Sequence, residues 1–130
     1  SLVLDATDSL QARQDIDRAT RQLELPWIMG SAVRTSGQWA AFDSRRRLGC
    51  YHCLMSDPIG AQHASCAELG IVGPVVALVS LQQALWAIKY FVDDSLPWAQ
   101  LHIIDAWSGE RTQLALSVRS DCPLCHSAES

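Results

Sequence analysis

Ser1-Leu-Val-Leu-Asp5, followed by Ala6-Thr-Asp8 and a run in which Ala12, Ile16, Ala19 and Leu23 recur at helical spacing, decides the fold class. The first five residues are a short apolar run of the kind expected for a buried strand of a parallel sheet. Asp8 or Ser9 then offers a side-chain oxygen that can cap a helix by accepting an amide hydrogen bond, and Pro26 ends that helix. A strand leading into an amphipathic helix is the opening of an α/β unit. Such a strand needs neighbours, so further strands are expected upstream, in a longer protein.

Downstream, Trp27 to Val33 and Gln38 to Phe42 read as two strands divided by Ser36-Gly37. The polar run Asp43-Ser44-Arg45-Arg46-Arg47 reads as a solvated turn in preference to a phosphate or partner site. Met55 to Gly70 is rich in Pro, Gly, Ser and His and has no clear period, so a long loop is expected there, and long loops are often functional. From Val75 to Tyr90 a helical period is apolar on most sides, which suits a helix buried in the core or in a subunit interface. Gln100 to Ala106 and Thr112 to Val118 form a hairpin turning at Ser108-Gly109. This order predicts one domain over residues 1–130, α/β or α+β, built on a mixed sheet.

Composition narrows the function classes. The 130 residues are 48% hydrophobic, enough for one core, and the net charge of -4 gives no basic field to draw nucleic acid or anionic lipid. The longest apolar stretch, Ile71 to Val79, is too short to span a bilayer and is followed by Gln82, Gln83 and Lys89, so no membrane partner is expected. No basic leader precedes an apolar signal core, which points to a reducing cytoplasm where paired thiols bind metal more often than they oxidise.

Cys50-Tyr-His-Cys53 and Cys122-Pro-Leu-Cys125 are two Cys-x-x-Cys knuckles, and four thiolates so arranged match the closed tetrahedral site of structural zinc. Far apart in sequence, they would clamp the tail onto the turn before the long loop. A redox dithiol or a pair of disulfides competes poorly with zinc once two such knuckles are present. His52 and His126 lie beside the ligands and could replace one. Cys66, the odd thiol, falls in the long loop; read from the residues alone it is a small buried hydrophobe. Asp5 and Asp8 end the first strand, where open α/β sheets bind ligands, so Asp8 is either a magnesium ligand at a nucleotide or a helix cap.

Four segments in order carry a resemblance: Leu4-Asp-Ala-Thr-Asp8 with Arg13, Gly49-Cys-Tyr-His-Cys53, Gly70-Ile-Val-Gly-Pro-Val-Val-Ala77 running into Leu81-Gln-Gln-Ala-Leu-Trp-Ala-Ile-Lys89, and Asp121-Cys-Pro-Leu-Cys125. Together they resemble the ThiF/MoeB/HesA family of adenylyltransferases across nearly the whole chain, nearer the ThiF branch. The resemblance implies the carboxyl-terminal half of a Rossmann-like fold, usually a homodimer. The activity implied is ATP-dependent activation of the carboxyl-terminal glycine of a ubiquitin-like sulfur-carrier protein, in thiamine or molybdopterin biosynthesis. Asp8 falls on the family aspartate that handles magnesium and ATP, Arg13 on a position near the nucleotide, and Cys66 on a loop cysteine that can form a thiol-linked conjugate with the carrier.

Several positions depart from the family pattern. Ser9 and Asp17 stand where Asn is common, and Trp86 where Glu is common. The glycine-rich loop and the ribose-binding acid of the family's nucleotide site have no counterpart in these residues, so the 130 residues alone are not expected to bind ATP well. The alternative expectation is a noncatalytic, zinc-stapled interaction module.

Overall fold

The computed structural model describes residues 1–6, 9–56, 73–116, 118 and 122. Among these, five strands form one sheet in sequence order: β1 (Val3–Leu4), β2 (Trp27–Val33), β3 (Ser36–Phe42), β4 (Gln100–Asp105) and β5 (Glu110–Ala115). β1 runs parallel to β2, and every later pairing is antiparallel. The helices are α1 (Leu10–Gln22), α2 (Tyr51–Ser56) and α3 (Gly73–Val92). The α/β class with a mixed sheet is what the sequence predicts.

Side chains alternate across the pleat, so β2 supplies both faces of the sheet. Trp27 and Met29 join Ala40, Phe42, Tyr51, Leu54, Leu101 and Ile103 on one face, with Ile16 of α1 packed against them. Ile28 joins Trp39, Ala41, Val79, Trp86 and Leu96 on the other, beneath α3. Each fully buried side chain of this size contributes about 1.5–3 kcal/mol.

β1 is shorter and less covered than a strand buried on both sides would be: its two ladder residues leave Val3 half-buried and Leu4 46% exposed. β3 begins at Ser36, so Ser36-Gly37 lies inside the strand and is not the divider. The reversal falls instead at Arg34, whose φ is 55°. Gly37 serves packing, since a Cβ there would lie 2.6 Å from Val79 Cγ2. Ser108-Gly109 does turn the last hairpin, with Gly109 at a φ of 80° that favours glycine.

α1 buries a different face from the one its apolar row predicts. Ala19 is exposed, Ala12 and Ile16 are half-buried, and the buried residues are Arg13, Asp17 and Thr20. Polar groups can occupy that face because each finds a partner; the Thr20 hydroxyl, for example, donates to the Ile16 carbonyl at 2.7 Å.

The expected loop from Met55 to Gly70 begins later than its composition suggests, because α2 continues to Ser56. The rest of that stretch lies outside the described residues. α3 extends the Val75–Tyr90 reading at both ends. At 20 residues it is long and apolar enough, by length and composition, to cross a bilayer, which corrects the view that the apolar stretch is too short. One face nonetheless packs on the sheet through Val75, Val79, Gln83 and Trp86. Leu81, Leu85, Ile88, Phe91 and Val92 are exposed.

Candidate functional site

The carboxyl end of β1 is held from both faces of the sheet. Asp5 is buried, and Nε of Arg13 from α1 donates to its Oδ2 at 3.1 Å. Nη2 of Arg13 reaches the Gly30 carbonyl at 3.4 Å. Arg13 itself is only 2% exposed, so its guanidinium lies beneath the strand end. From α3, Nε2 of Gln83 donates to the carbonyls of Asp5 at 2.8 Å and Ile28 at 3.1 Å. The helix that follows is capped by Ser9, whose Oγ accepts from the Ala12 amide at 3.0 Å. The cap of α1 is thus accounted for by Ser9; Asp8 lies outside the described residues.

Three of the four knuckle cysteines converge, as their spacing predicts. Cys50 sits at the mouth of α2 and Cys53 lies within it, and Cys122 meets them from the far end of the chain. Cys50 Sγ is 3.7 Å from Cys53 Sγ and 3.6 Å from Cys122 Sγ, and all three are buried. Thiolates bound tetrahedrally to one zinc at about 2.3 Å stand roughly 3.8 Å apart. Two of the sulfur separations match that spacing and all three sulfurs lie within 4.8 Å of one another, an arrangement that could hold one metal ion. Cys125, the expected fourth ligand, lies outside the described residues, as do Cys66 and His126.

His52, between the two knuckle cysteines, places Nδ1 3.5 Å from Cys122 Sγ. Behind it, burial pushes the Asp17 carboxyl up from the usual carboxylate range, while Arg21, His52, the Trp27 indole N–H and the Tyr51 amide pull it back. A cavity of about 10 Å³, room for a single water, is lined by Asp17, Arg21, Asp43 and Cys50 among others.

The arginine run is an exposed turn, as expected, and two of its cations are tied to Asp43. Ser44–Arg46 form a short 3-10 turn capped by Asp43, which is buried and held below the usual carboxylate range by hydrogen bonds from Arg45 and Arg46 despite its burial. Arg45 approaches it at 2.9 Å through both Nε and Nη2. Arg46 bridges Asp43 at 3.1 Å and Asp94 at 2.6 Å while lying 4.3 Å from the Trp98 ring centroid. These cations are engaged within the fold, which removes the reason to read the run as a phosphate site.

Sequence reasoning did not find the Asp5–Arg13 ion pair or the double hydrogen bond of Gln83, whereas His52 lies beside the cysteine ligands as expected. Gln83 had a signal, a polar residue at the buried phase of an otherwise apolar helix. Asp5 and Arg13 had none, since their pairing depends on how α1 rolls against the sheet.

The ThiF family profile matches residues 1–124. The chain is 38% identical over 124 residues to the sulfur carrier protein ThiS adenylyltransferase of Escherichia coli K12, covering 95% of this chain and 49% of that protein. It is 30% identical to the molybdopterin-synthase adenylyltransferase of Salmonella typhimurium, covering 96% of this chain and 50% of that one. The chain thus spans about half the length of these curated relatives. In fold, it is similar to a crystal structure of E. coli MccB with ATP, at a TM-score of 0.75 and 16% identity over 95% of this chain and 39% of that one.

Proposed function

The chain belongs to the ThiF family, and on that premise we propose that it is the carboxyl-terminal half of an ATP-dependent adenylyltransferase. Its substrate would be the carboxyl-terminal glycine of a ubiquitin-like sulfur-carrier protein serving thiamine or molybdopterin synthesis. The observation that carries the reading is the match to named adenylyltransferases along 95% or more of the chain. The capping of α1 by Ser9 supports it, because Asp8 is then not needed as the cap.

In this reading Asp8 holds magnesium on ATP, where a divalent charge stabilises the phosphates as the carrier carboxylate attacks. Arg13 serves the nucleotide end of β1 through its ion pair with Asp5. Cys66 is assigned the later step, attack of its thiolate on the carbonyl of the acyl adenylate, which forms a thioester as the acyl–phosphate bond breaks and AMP leaves. Cys50, Cys53, Cys122 and Cys125 are assigned to structural zinc, which would tie the tail to α2. Thiolates kept for a metal require reducing surroundings, so the proposed compartment is the cytoplasm.

The test is carrier-dependent pyrophosphate exchange by a protein carrying both halves. Asp8→Ala should abolish exchange, whereas Cys66→Ala should leave it intact and impair only a later thiol step. Exchange that survives Asp8→Ala refutes the metal assignment. For the 130 residues on their own, about half their relatives' length, the alternative is a noncatalytic zinc-stapled docking module. Carrier binding by the full protein without any exchange would favour it.

A further inference from the structure

We propose that Gln83 is a positioning residue for the nucleotide end of β1, holding the strand exit in the register that adenylation requires. The proposal rests on the adenylyltransferase reading above.

A side-chain amide has two N–H bonds on one nitrogen. Both are used here, one on the Asp5 carbonyl at 2.8 Å and one on the Ile28 carbonyl at 3.1 Å. Those carbonyls belong to Asp5, the residue just past β1, and to Ile28 of β2, so a residue of α3 ties the exit of β1 to β2. β1 contributes only Val3 and Leu4 to the ladder, so side-chain contacts supplement it at that end. Beyond the two ladder residues, the Asp5 amide donates to the Ile28 carbonyl at 3.0 Å. Arg13 grips the Asp5 side chain from the opposite face. Asp5 is therefore fixed through both its carbonyl and its carboxylate, and Asp8 follows three residues later in the sequence.

Gly30 makes room for the arrangement. A Cβ there would stand 2.6 Å from Gln83 Cδ and 2.7 Å from its Nε2. The helix could approach the sheet with an apolar side chain at position 83, as it does with Val75 and Val79. A buried glutamine instead costs desolvation that only its paired carbonyls offset.

The experiment uses a protein carrying both halves, with two variants. Gln83→Met keeps volume and removes both donors; Gly30→Ala keeps the glutamine and pushes its amide aside. In each, hydrogen–deuterium exchange of the segment covering residues 1–6 should accelerate while protection in β3 and β4 is retained. The kcat of pyrophosphate exchange should fall about tenfold, as for a reacting group displaced by a fraction of an ångström. Half-saturating magnesium should rise, and KM for the carrier should stay unchanged. Unchanged deuterium uptake in both variants overturns the staple. Faster uptake with unaltered kcat and magnesium dependence overturns its positioning role. Loss of folding in both variants overturns it too, by making Gln83 a determinant of folding. Wild-type protein without exchange activity would instead sink the adenylation reading, while deuterium uptake still decides the staple.

Discussion

Gly37 and Val79 meet so closely that a Cβ on the glycine would lie 2.6 Å from Val79 Cγ2, with Val75 Cγ1 at 3.2 Å. The backbone of β3 and the side chains of α3 touch where any larger residue would wedge them apart. Gly37→Ala should therefore destabilise the protein by about 1–3 kcal/mol, the usual cost of overpacking. The measurement is a fall in the denaturation midpoint at an unchanged m-value. Adding Val79→Ala should recover part of the loss by reopening the space. Full stability in Gly37→Ala would mean that α3 stands farther from the sheet.

Asp17 should make stability fall with rising pH. Burial raises its carboxyl above the ordinary 3.8, so the folded protein binds a proton that the unfolded chain has released. Between 3.8 and the folded value stability then declines as pH rises. Asp17→Asn keeps an acceptor for the Trp27 N–H, and should flatten that slope and add about 1 kcal/mol at neutral pH. His102 works in the opposite sense. Burial and, secondarily, Arg111 lower its imidazole from the ordinary 6.5, so its contribution is lost as pH falls below that value. Urea midpoints measured across this range for Asp17→Asn and His102→Gln should change slope in opposite directions. Parallel slopes in both variants and wild type would refute both assignments.

Period and turn chemistry made the element order legible apart from α2, which was not anticipated, and the knuckle spacing made the cysteine cluster legible. Both are local or pairwise signals. The roll of α1 was not legible, because its buried face is polar and an apolar count cannot weigh Arg13 against an Asp5 that the fold brings beneath it. Gly37 was misread for a related reason. Glycine marks a turn or a close approach with the same letter, and only the position of α3 separates the two. Arg45 to Arg47 are exposed as read, but the tie of Arg45 and Arg46 to Asp43 was not legible, because Asp43 reads as one more polar residue until the fold buries it.

Cys122→Ser should release one equivalent of zinc and detach the tail from α2. Cys50 Sγ lies 3.6 Å from Cys122 Sγ and 3.7 Å from Cys53 Sγ, so the metal would join segments 72 residues apart. Metal-binding energy gained only in the folded state is folding energy, and the melting temperature should drop on chelation in the wild type but not in the variant. Elemental analysis that finds no zinc in protein purified without chelator would count against the site.

The outer face of α3 should be an interface between two copies of the protein. Leu81, Leu85, Ile88 and Val92 are exposed and recur at alternating steps of four and three residues, a continuous apolar stripe along the helix. Such a stripe gains about 1.5–3 kcal/mol for each side chain it buries. Several such residues from each copy can outweigh an association cost of about 4–15 kcal/mol. Leu85→Glu places a charge at the middle of the stripe and points away from the sheet, so it should separate the subunits without unfolding either. Light scattering on a protein carrying both halves should give a dimer for the wild type and a monomer for Leu85→Glu, with the same melting behaviour of the cysteine-bearing region. A wild-type monomer at micromolar concentration would refute self-association through this stripe.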